Sequence, residues 1–126
     1  MQLNLTVLPE TLAVCRFNSK SDIPLWAQSG NFYSITKTAD ELSIVCLEAE
    51  AGGADLIEKG WRAFKIEGQL DFSLVGIVAN LSSILASGGI SIFVISTFDT
   101  DYILVKEETL ARAVELLSQA GHKFIS

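Results

Sequence analysis

Asp99-Thr100-Asp101 sets two carboxylates two residues apart, the kind of hard oxygen pair that divalent cations take. No third carboxylate lies near in the pattern, so the triplet reads as an acidic hairpin turn rather than a metal site. For Asp101 two roles stay open: contact with a ligand, or an Asx-type bond that holds the turn. Together with Asp71 these are the only titratable groups the pattern brings near one place, and a pocket needs a placed acid–base pair to do chemistry. No catalytic residue, and hence no enzyme, is expected. His122, the one histidine, follows Gly121 at the end of a helical stripe, where positive charge suits the helix dipole. Cys15 and Cys46 lie inside the apolar runs Leu12–Phe17 and Leu42–Leu47 and read as small buried hydrophobes; no motif pairs either with His122. These three side chains are too few and too scattered for zinc, so no metal is expected. Gly68-Gln69-Leu70-Asp71 precedes a helix but lacks the glycine spacing and Lys-Ser/Thr of nucleotide loops, so no cofactor is expected either.

The elements that position these residues are clearest after Gly60. Trp61–Ile66 alternates as a strand ending at Gly68. Leu74, Ile77, Val78, Leu81, Ile84 and Leu85 recur at spacings of three, four and seven, which predicts a helix over Ser73–Ser87, capped by Asp71 or Ser73 and stopped at Gly88-Gly89. Ile90–Ser96 is apolar and β-branched, Thr97–Asp101 turns, and Tyr102–Val105 returns as the second strand of a hairpin. Leu110, Ala113, Val114 and Leu117 mark a second helix after Glu107 and Glu108, and Lys123–Ile125 is a last short strand. The order is βαββαβ, the split βαβ of ferredoxin-like α+β folds, with antiparallel sheets and helices on one face.

Before Gly60 the signals are short strands: Leu3–Leu8, Leu12–Phe17, Phe32–Thr36 and Leu42–Leu47, the last two a hairpin around Lys37–Glu41. Asp22 ahead of Ile23-Pro24 predicts one capped helical turn, and Ala54–Lys59 a turn or two of helix that Gly60 ends. The chain therefore divides into an N-terminal module, 1–59, and a C-terminal module, 60–126, sharing one continuous core. Trp26, Trp61 and Phe93 read as core or interface residues.

With 49% apolar and 19% charged residues among 126, the chain buries a real core. A net charge of −6 repels phosphate backbones and anionic lipid, which argues against nucleic-acid and membrane partners. Met1-Gln2-Leu3-Asn4 opens no signal peptide, and the longest apolar stretches are interrupted by Asn80, Ser82, Ser83 and Ser87, so the expected location is the cytoplasm.

Three segments carry more than element order: Gly60-Trp61-Arg62-Ala63, the run Leu70–Ile77 and the run Ile90–Tyr102. Over the last half of the chain they closely resemble small bacterial ACT-domain proteins and the animal arginine sensors of the TOR pathway; Ser34–Thr38 supports the likeness more weakly. The resemblance implies tandem ACT modules, a regulatory protein that catalyses nothing, a free amino acid as ligand where ACT units meet, and a homodimer or a partner enzyme or regulator as the output. It implies ligand contact at Thr97, Phe98 and Asp101, with Gly68, Asp71, Phe72 and Val78 on the loop-and-helix side. Helix-terminal N–H groups would seat the α-carboxylate, and turn carbonyls and carboxylates the ammonium. Asp71 departs from a glycine of the sensors and either caps the helix or repels the ligand. Leu74 departs from an acidic residue that meets the guanidinium, which disfavours arginine and favours a smaller or apolar amino acid. The same two departures open an alternative: an ACT-fold interaction or scaffold protein that has lost its ligand.

Overall fold

The structure, a computed structural model, describes residues 2–68 and 75–125. Among the described residues seven strands and two α-helices run β1 (Asn4–Phe17), β2 (Ser34–Lys37), β3 (Leu42–Leu47), β4 (Leu56–Ile66), α1 (Ile77–Ser87), β5 (Ile92–Ser96), β6 (Asp101–Lys106), α2 (Leu110–Gln119) and β7 (Lys123–Phe124). Two compact units emerge: one is Met1–Pro9 with Arg62–Ser126, the other Glu10–Trp61. The long strands β1 and β4 run through both.

In the Arg62–Ser126 unit the strand order is β7-β1-β4-β6-β5. The first strand of the chain thus lies between β4 and β7, with Asn4 opposite Lys123 and Leu5 opposite Phe124 in a parallel pair. Glu67 N–H donates to the Asn4 carbonyl at 2.8 Å, and Arg62 Nη2 to the Leu8 carbonyl at 2.9 Å. β5 and β6 form the expected antiparallel hairpin, with Ser96 opposite Asp101. The core gathers Leu5, Phe64, Ile66, Leu81, Leu85, Ile103, Val105 and Leu117, which is the sheet's inner face and the apolar stripes of α1 and α2. In the Glu10–Trp61 unit β2, β3 and β1 pair in turn, antiparallel, around a second cluster of Ala13, Cys15, Phe17, Ala27, Leu42, Ile44 and Cys46. Trp26 packs on this cluster, its ring 6.1 Å from that of Phe17.

Several expectations need correction. Leu3–Leu8 and Leu12–Phe17 are one strand of 14 residues. Pro9, which has no N–H to give, falls outside both the register with β7 at residues 4–5 and that with β3 at 12–17. At ~3.3 Å per residue such a strand is about 45 Å long, too long for one core to cover, and the single continuous core expected from composition is two clusters. Ala54–Lys59 is not helical: β4 begins at Leu56. Gly60 sits inside it at φ +77°, its N–H donating to Glu48 Oε1 at 2.7 Å; the left-handed backbone that marks a helix stop here accommodates an irregularity within a strand. The single turn near Pro24 is present as a 3-10 turn, Leu25–Gln28, without a cap from Asp22. Phe93, expected in the core, is half-buried.

Cys15 and Cys46 are both buried and free, their sulfurs 4.0 Å apart across the β1–β3 pair. Burial raises the Cys15 thiol and pushes that of Cys46 up to about 12, so both stay protonated and behave as the small hydrophobes their context predicts.

His122 is only 5% exposed, and its role differs from that of a cation at a helix end. The Leu3 N–H donates to Nδ1 at 3.1 Å, which leaves Nε2 to carry the proton and donate to Asn80 Oδ1 at 2.9 Å. The neutral ring ties the N-terminal strand to α1, and burial lowers its pKa from the ordinary 6.5. In the unfolded chain the imidazole takes a proton as pH falls through 6.5, while the folded ring resists it, so stability is complete above that pH and falls below it. We expect urea midpoints of the wild type to decline from pH 7 to pH 5, and His122→Gln to flatten that part of the profile.

Candidate functional site

Among the described residues, the far end of β4 and the β5–β6 turn make a recess that adjoins the expected site. Thr97 closes the turn on itself: its N–H donates to the Thr100 carbonyl at 2.8 Å, its Oγ1 donates to that carbonyl at 3.0 Å, and the Thr100 N–H returns a bond to Thr97 Oγ1 at 3.2 Å. Ser96 Oγ donates to Asp101 Oδ1 at 2.5 Å across the last rung of the hairpin. Thr100, 4% exposed, donates its hydroxyl to the Ile66 carbonyl at 2.6 Å, which pins the turn to the end of β4. A buried polar bond of this kind fixes the turn's position, because leaving the Ile66 carbonyl unpaired costs about 1–3 kcal/mol.

Between these pieces lies a cleft of about 250 Å³ lined by Lys65, Gly68, Asp99 and Thr100. Gly68 leaves β4 at φ +85°, a left-handed turn that presents bare backbone to the opening. Lys65 meets Glu67 at 3.6 Å with both side chains about one-third exposed (36% and 30%), a surface pair worth roughly 0–1 kcal/mol.

Of the expected site residues, Gly68 lines this cleft, while Thr97, Phe98 and Asp101 flank it on the turn that contributes Asp99 and Thr100. Phe98 is 75% exposed at the turn's tip. Val78 is half-buried in the first turn of α1 and is not among the lining residues. Asp71 and Phe72 lie outside the described residues, as do Leu74 and the proposed cap Ser73. The helix they were to open begins later than its stripe predicts: Ile77 is its first residue and Gly76, at φ +79°, its cap, with no side-chain cap bond. Asn80 N–H bonds back to the Gly76 carbonyl at 2.8 Å, so the amides of Ile77, Val78 and Ala79 make up the helix's first turn. Lys65 is a lining residue that sequence reasoning left unassigned, and Asp99 entered it only as one of the turn carboxylates that the resemblance sets toward an ammonium. Position on a strand end three residues before Gly68 was the available signal for Lys65; Asp99 was absorbed into the acidic turn.

An ACT-domain family model matches residues 56–119, and a second model, of an N-terminal domain, matches residues 10–52. The chain belongs to the ACT-domain family. A crystal structure from Agobacterium tumefaciens is 40% identical, covering 99% of this chain and 93% of its own, with a TM-score of 0.93. The human cytosolic arginine sensor for mTORC1 subunit 1 is 42% identical over 60 residues, which is 47% of this chain but 18% of the sensor. Fold likeness extends to the regulatory subunit of aspartate kinase from Thermus thermophilus, 12% identical, covering 92% of this chain and 96% of that one with a TM-score of 0.63. The α+β, ferredoxin-like architecture expected from the element order is therefore an ACT fold. Among the described residues no group of three or more His, Cys, Asp or Glu is placed to hold a metal, and no helix is long and apolar enough to cross a membrane.

Proposed function

We propose that this ACT-family protein is a non-catalytic regulator that binds a free amino acid at the cleft formed by Gly68 and the Thr97–Asp101 turn, and signals through changed assembly with a second copy or with a partner enzyme or regulator. The observation that carries the reading is the cleft itself: a small recess, walled by a turn that the Thr100–Ile66 bond holds in place, lined by Gly68 and lying beside the Thr97–Asp101 turn on which the family resemblance puts ligand contacts. A relative named as a cytosolic arginine sensor, 42% identical over 60 residues, supports both amino-acid binding and a cytoplasmic setting. In this reading 60–126 is the ligand-binding ACT domain and 1–59 its ACT-like companion module. Thr97, Phe98 and Asp101 contact the ligand from the turn, Gly68, Asp71 and Phe72 from the loop, and Val78 from α1.

One observation favours the second reading, a scaffold that has lost its ligand: the Thr97 hydroxyl and Asp101 Oδ1 are already spent inside the turn. A thermal-shift panel of the common amino acids separates the two. Binding stabilises the native state by RT ln(1 + [L]/Kd), about 2.7 kcal/mol at a hundredfold excess over Kd. We expect a neutral amino acid to raise the melting temperature of the wild type by several degrees, and much less so in Asp101→Ala. No shift with any amino acid would favour the scaffold.

A further inference from the structure

We propose that Lys65 holds the ligand's carboxylate and Asp99 faces its ammonium, so that the cleft selects zwitterionic amino acids with uncharged side chains. The inference rests on amino-acid binding as proposed above and deepens it. The two charges belong to different elements, Lys65 to the end of β4 and Asp99 to the β5–β6 turn, and both line the same ≈250 Å³ recess. That volume lies below the roughly 300–1,000 Å³ of pockets for drug-sized ligands, so the occupant is small. Thr100 is buried and its hydroxyl proton goes to the Ile66 carbonyl, so it offers the ligand no donor from that group. Gly68 offers backbone alone. Among the described lining residues Lys65 is then the cationic donor, and its 3.6 Å surface pair with Glu67 is weak enough to yield to a ligand carboxylate.

The same arrangement rejects charged side chains. A cationic side chain brings a second positive group towards Lys65. An acidic one sets a second anion against Asp99, on a chain that already carries −6. Uncharged side chains meet neither penalty, provided both poles of the zwitterion are present.

The test is calorimetric titration of the intact chain with L-alanine, L-valine, L-leucine and L-threonine, with their α-amides, and with L-arginine and L-glutamate. We expect at least one neutral amino acid to bind, its amide to bind about tenfold more weakly, and Lys65→Gln to weaken the acid by about tenfold while leaving the amide unchanged. Lys65→Arg should retain most of the affinity for the acid. If Lys65→Gln binds the acid as the wild type does, or the amide matches the acid, the assignment of Lys65 is overturned while amino-acid binding stands. If L-arginine or L-glutamate binds as tightly as the neutral ligand, the selectivity is overturned. If the wild type binds none of the neutral amino acids, the assignment and the reading beneath it fall together.

Discussion

Phe64→Ala should cost about 3–5 kcal/mol of stability. Phe64 is fully buried near the C-terminal end of β4, and β4 lies between β1 and β6 in the strand order. Its ring meets that of Phe124 edge-on, with centroids 5.8 Å apart, so truncation removes an aromatic pair as well as apolar area and leaves a void among Leu5, Leu81 and Ile103. Urea unfolding gives the loss in free energy, and hydrogen exchange locates it: amides of Leu81, Ile103 and Leu117 should lose protection, since they share that core. A change below about 1 kcal/mol would mean that Phe64 is not where the core depends on it.

Leu5→Ala carries a comparable penalty, about 2–5 kcal/mol, for a reason that chain position hides. Leu5 is fully buried and stands opposite Phe124, in a cluster whose other buried members all come after residue 60. The N-terminal strand is thus a structural part of the Arg62–Ser126 unit, and its Leu3 N–H also reaches His122. The expected result is lost protection at Ile66, Val105 and Leu117. A loss confined to residues 10–61 would contradict the placement of β1.

These two residues mark the limits of what the sequence makes legible. Around Phe64 local pattern suffices: strand alternation, the α1 stripe and the β-branched run of Ile92–Ser96 each depend on near neighbours, and each element is present in the structure with ends moved by a few residues. Leu5 depends on a pairing with residues more than a hundred positions away, which no local periodicity encodes. Pro9 and Gly60 misled for a related reason. Both usually interrupt an element, and here both lie inside long strands: Pro9 falls outside the registers with β7 and β3, and Gly60 takes a left-handed φ that glycine adopts without steric cost.

The site was legible in the same uneven way. Gly68 and the turn residues were named through family likeness, and the structure brings Gly68 together with Asp99 and Thr100 of that turn. The partners that place the turn were not: the Thr100–Ile66 bond joins residues 34 positions apart, and Lys65 looks like any outward-facing strand lysine until the cleft is formed.

The central claim, a free amino acid bound at this cleft, is tested most directly by titrating the 15N-labelled chain with neutral L-amino acids and following its amide resonances. Saturable shifts are expected to concentrate at Gly68, Val78, Phe98, Thr100 and Asp101, with little change at Ile35 or Ile44 in the other unit. The absence of saturable shifts with every amino acid, or shifts confined to residues 10–61, would contradict it.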